Sequence, residues 1–67
     1  MPFDPMLDIP KTDEEVKAAL AVGKSELGAT ACWGLYRVYR RQGDGLLEAY
    51  KKALELYVKI LYNQEVF

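Results

Sequence analysis

Histidine is absent from these 67 residues, and cysteine occurs once, at Cys32. A lone thiol forbids an internal disulfide, and without histidine or a second cysteine a structural zinc site of the usual kind is excluded. The carboxylate-bridged metal sites of helical bundles need a Glu-x-x-His pattern, which fails on the same absence. No metal and no cofactor is therefore expected. No uninterrupted apolar run reaches the ~18 residues of a membrane span, and Met1-Pro2-Phe3-Asp4-Pro5 has no basic region leading into an apolar core. Strong charge of either sign is missing too. The formal net charge is -1, which argues against a phosphate-backbone binder driven by counterion release. The expectation is a soluble, cytoplasmic protein with no membrane partner, and one reduced thiol fits that compartment.

A chain this short is one domain at most and buries little apolar surface by itself. Ordering costs roughly 1.5 kcal/mol per residue, which nearly cancels the gain from burial at this size. With disulfide and zinc excluded, oligomerisation or docking onto another protein is left to supplement the core.

All 3 prolines fall within the first ten residues. Each fixes its own backbone angle and lacks an amide donor, so residues 1–11 are read as an extended arm and 12–67 as a helical hairpin domain. Phe3, Met6, Leu7 and Ile9 make the arm apolar, suited to folding back over the helices or to entering a partner's groove. Thr12-Asp13-Glu14-Glu15 matches a capping box, with Thr12 accepting from the amide of Glu15 and Glu15 reaching back to the amide of Thr12. From there Val16, Leu20, Gly23, Leu27, Ala31, Gly34 and Val38 recur at spacings of three and four. The register continues through Gly23 and Gly28, which predicts one long helix over residues 12–42. The alternative is a break near Gly23, with Ser25 capping a second helix. That would make a three-helix bundle.

Gly43-Asp44-Gly45 is the sharpest turn signal: Gly43 suits the left-handed residue that ends a helix, and Asp44 suits the N-cap of the next. A helix over about 45–64 follows, striped by Leu47, Tyr50, Leu54, Tyr57 and Leu61 and solvated along Glu48, Lys51, Lys52, Glu55 and Lys59. Its Glu48/Lys52 and Glu55/Lys59 pairs sit one turn apart in the favourable order. The predicted fold is all-α, an antiparallel helical hairpin. A helix of about 20 residues spans roughly 30 Å and cannot cover residues 12–22 of the longer one. Residues 18–36 also contain only two charges, Lys24 and Glu26, the composition of a helix surrounded on most sides. Both points predict a homodimeric four-helix bundle.

Two faces are candidates for binding. Ala21, Ser25, Gly28 and Cys32, extended by Tyr39, offer small side chains for close helix approach and are assigned to the dimer interface. Cys32 is read there as a small hydrophobe, since no histidine could activate it. Trp33 lies off the main stripe beside Arg37 and Arg40, the make-up of an interaction hot spot; a stack of Arg37 on the indole is the plainer reading. Tyr36, Arg37, Arg40 and Arg41 interleave aromatics with cations. That composition also serves single-stranded nucleic acid, although arginines in a last turn compensate the helix dipole as well.

Two motif echoes carry nothing. Gly23-Lys24-Ser25 lacks the earlier glycine and preceding strand of a phosphate loop, and Asp44-Gly45 lacks the other acidic ligands of a calcium loop. No spacing arranges tyrosine, lysine and carboxylates into a catalytic constellation. The sequence thus predicts a non-enzymatic protein-interaction module, an adaptor, regulator or inhibitor, with an unidentified protein partner. The alternatives are an RNA-binding dimer using residues 37–41 and a structural subunit of a larger complex.

Overall fold

The computed structural model describes residues 2–66, of which 64–66 are described by backbone only. Among them the fold is all-helical: α1 over Asp13–Ala21, α2 over Glu26–Arg41 and α3 over Leu46–Val66. The continuous helix expected over 12–42 is therefore corrected to two, and the break falls at Gly23. Val22 has φ -62 and ψ 128, Gly23 has φ 70, and the Lys24 amide donates to the Ala21 carbonyl at 3.3 Å. Those angles are a type II turn, whose third position requires a positive φ that glycine alone adopts without strain. Ser25 then caps α2, its hydroxyl accepting from the Gly28 amide at 3.1 Å.

The second corner is built differently. Gly43 has φ 101; its amide donates to Arg40 at 3.1 Å, and the Asp44 amide donates to Tyr39 at 3.2 Å. This is a Schellman closure, as the sequence led one to expect at Gly43. Asp44 is not the N-cap. Its carboxylate accepts from Lys52 Nζ at 3.0 Å, and Gly45 stands between it and the first turn of α3. At α1, Thr12 Oγ1 accepts from the Glu15 amide at 3.1 Å as predicted. Glu15, however, reaches one residue further back than expected, to the amide of Lys11 at 2.8 Å.

The bend at Gly23 folds α1 onto α2 and disposes of the uncovered segment. Val16 and Leu20 are fully buried, joined by Cys32 and Tyr36 from α2 and by Ala49 and Ala53 from α3. α3 runs back along α2. Lys52 lies over the ring of Tyr39 near the corner, and further along Tyr57 packs so closely on Gly28 that a Cβ there would collide with its hydroxyl. The tightest contact is between α2 and α3, and α1 touches α3 least. In the arm, Pro10 is buried and Phe3 half-buried, while Met6, Leu7 and Ile9 stay exposed. A turn interrupts its extension: the Leu7 and Asp8 amides donate to the Asp4 carbonyl at 3.2 and 2.9 Å.

The break also exchanges the faces of α2. Leu27, Ala31, Gly34 and Val38, the continuation of the predicted stripe, are exposed, whereas Cys32 and Tyr36 point inward with Ala29 and Tyr39 half-buried beside them. A corner that reverses the chain has no need to preserve helical phase. The core is small: among the described residues, three of the seven buried hydrophobic ones are alanine.

Candidate interaction cleft between α1 and α2

Folding α1 back sets its acidic first turn against the basic last turn of α2. The result is a shallow cleft of about 470 Å³ that gathers Trp33, Tyr36, Arg37, Arg40 and Arg41 with Asp13 and Glu14. All five residues singled out for partner binding thus line one concavity. Each helix contributes the end whose charge opposes its own dipole, acids at an amide end and cations at a carbonyl end.

Tyr36 forms the floor, being 1% exposed. Its ring stacks on Trp33 with centroids 5.3 Å apart and planes 21° from parallel. Its hydroxyl donates to Asp13 Oδ1, and Arg40 Nε lies 3.9 Å from the same oxygen. Burial, then the hydrogen bond to the Asp13 carboxylate, pushes the phenol up to about 12. Tyr36 is therefore a positioning group that a partner cannot reach directly.

Trp33 is half-buried and forms the wall. The cation over its ring is Lys17 of α1, 5.8 Å from the centroid, in place of the Arg37 stack considered from sequence. Arg40 is engaged twice, by Asp13 and by the Asp44 carbonyl, which accepts from a guanidinium nitrogen at 3.1 Å. Among the described residues, Arg37 and Arg41 make no salt bridge and no side-chain hydrogen bond, and both are exposed. The cleft thus offers an aromatic wall and two free guanidinium groups one turn apart.

Asp13, Glu14 and Lys17 escaped the sequence reading because a continuous helix would keep them about 35–40 Å from Arg40. The acid-rich start of one helix and basic end of another become neighbours only when the intervening chain reverses.

The residues assigned to the dimer interface are dispersed. Cys32 lies in the intrachain core, where burial pushes its thiol up, partly offset by the charge of Lys24. Gly28 admits Tyr57, Ser25 is a cap, and Tyr39 packs against the core under Lys52. Ala21 is exposed at the end of α1. Four of the five thus serve contacts within one chain. Among the described residues no cluster of metal-ligating side chains occurs, and no helix is long and apolar enough to cross a membrane. No family model, curated protein or solved structure matches the chain.

Proposed function

We propose that this chain is a small non-enzymatic protein-interaction module, an adaptor, regulator or inhibitor, that holds a partner protein in the α1/α2 cleft and works as a helical homodimer. The observation that carries the reading is the convergence of Trp33, Arg37 and Arg41 at one concavity, with the two arginines unengaged. Tryptophan and arginine are the residue types in which interface energy concentrates. The partner segment suited to the cleft offers a carboxylate to Arg37 and Arg41 and an apolar side chain to Trp33. Asp13 and Glu14 on the same rim disfavour a polyphosphate, which places the RNA reading second.

Two titratable groups of the core support the non-enzymatic reading. The Tyr36 phenol and the Cys32 thiol are both held towards their protonated forms, the opposite of an activated nucleophile. In the homodimer, the α2/α3 hairpins of two copies make the four-helix layer, with each α1 at its flank. A buried, protonated thiol suits a cytoplasmic setting.

The test begins with the sole tryptophan as reporter. Once a partner has been captured, its titration should change Trp33 fluorescence. Trp33→Ala should weaken binding about 30-fold, the scale of a hot spot of ~2 kcal/mol, and Arg37→Ala with Arg41→Ala should weaken it further, all with unchanged far-UV circular dichroism. Undiminished affinity in these folded variants would move the partner elsewhere, to the arm first.

A further inference from the structure

We propose that the outer face of α2 is covered by a second copy of this chain, the two α2 helices lying antiparallel about a two-fold axis between them, at the level of Cys32 and Trp33. The inference shares the homodimer with the function proposed above and uses the stripe beside the partner cleft, with Arg37 and Arg41 on the rim common to both, and it replaces the dimer surface expected from sequence.

At ~100° per residue, Leu27, Ala31, Gly34 and Val38 fall within about 60° of one another on α2. All four are exposed; Leu27 is 84% and Val38 47% accessible. A Cβ built at Gly34 meets nothing within 4 Å, so the backbone is bare where the stripe is narrowest. The order along the helix is large, small, small, large, and it reads the same in both directions. A two-fold axis at the midpoint brings Leu27 of one copy against Val38 of the other, and Ala31 against Gly34. That is the reciprocal pairing an isologous interface requires. The small residues meet at the crossing point, where they allow the helix axes to approach to the short end of the usual ~8–10 Å range.

Charge chooses the orientation. Glu26, Arg37 and Arg41 flank the same edge of the stripe, Glu26 at its start and the arginines towards its end. In an antiparallel pair like edges meet, so Glu26 of each copy comes to lie between Arg37 and Arg41 of the other. A parallel pair would leave all of them without that complement. Rim charges of this sort set register and partner choice more than affinity.

Sedimentation equilibrium on the full chain tests the proposal. The native protein should dimerise in the micromolar range. Ala31→Glu should be monomeric across that range with unchanged circular dichroism, and Glu26→Arg should weaken association several-fold. Under mild oxidation, an Ala31→Cys chain mixed with a Gly34→Cys chain should cross-link, and Leu27→Cys alone should not. A native protein that stays monomeric to millimolar concentration would overturn the proposal together with the homodimer. A native dimer indifferent to Ala31→Glu, or one cross-linked through Leu27→Cys, would overturn this interface alone. The Trp33 cleft would stand in either case.

Discussion

The two sides of α2 are both lined by non-charged residues and have opposite fates. The inner side, Ala29, Cys32, Tyr36 and Tyr39, meets α1 and α3; the outer side, Leu27, Ala31, Gly34 and Val38, meets solvent in the single chain. Both show the three-four spacing of an amphipathic helix, so periodicity alone cannot say which faces inward. The corner before the helix decides. By ending α1 with a positive φ at Gly23, the chain returns from a direction that a continuous helix would not take, and the inner side becomes the one carrying Tyr36.

That contrast can be broken most severely at Tyr36. Tyr36→Ala removes the largest fully buried side chain and should cost about 3–5 kcal/mol, within the range for aromatic truncations in cores. Urea denaturation monitored by circular dichroism should show this as a large fall in midpoint. For a domain this small it would approach complete unfolding.

A gentler perturbation of the same side is alkali. The folded phenol of Tyr36 titrates at about 12, above its ordinary value of 10.0. A raised folded value means that the native state favours the protonated form. The stabilisation is thus complete below pH ~10 and is lost as pH rises from ~10 towards ~12, by about 2–3 kcal/mol in all. Tyr36→Phe should abolish this component of the alkaline transition, measurable as the difference in urea midpoint between pH 8 and pH 11.

The outer side should respond least. Leu27→Gln, measured at a dilution where chains are monomeric, should alter unfolding free energy by no more than about 0.5 kcal/mol, as for surface substitutions in general. A loss near that of Tyr36→Ala would mean that the two sides of α2 had been exchanged.

Much of the fold was legible in the sequence because local chemistry is written locally. Thr12 capped α1 and Gly43 closed α2 where their spacing predicted. Ser25 also capped a helix, the one belonging to the alternative set aside in favour of a longer run. The overlooked signal was repetition: Gly23-Lys24-Ser25 and Gly43-Asp44-Gly45 each place a glycine, a charged residue and a small residue between apolar segments, twenty positions apart. The glycines share a positive φ although the turns around them differ. An unbroken register through Gly23 was coincidence, since a four-residue corner can return to any phase.

The candidate cleft was legible by halves. Trp33 and the arginines stood out because cations beside an aromatic on a polar face ask for explanation. Their acidic counterpart reads from sequence only as part of the capping box at Thr12, since the distance between Asp13 and Arg40 is a tertiary fact that no local pattern encodes. Cys32 and Gly28 read from sequence as small residues that let a helix approach closely at a dimer interface. The approaching elements belong to the same chain, however: Tyr57 meets Gly28, and Cys32 joins Val16 and Leu20 in the core.

The reactivity of Cys32 with a thiol-specific disulfide reagent, followed against protein concentration, tests most directly which side of α2 faces inward. A thiol buried within the single chain should be protected many-fold relative to the unfolded protein, and equally so however far the sample is diluted. Protection that vanished on dilution would place Cys32 between subunits, and a thiol as reactive as in the unfolded chain would contradict the inner face altogether.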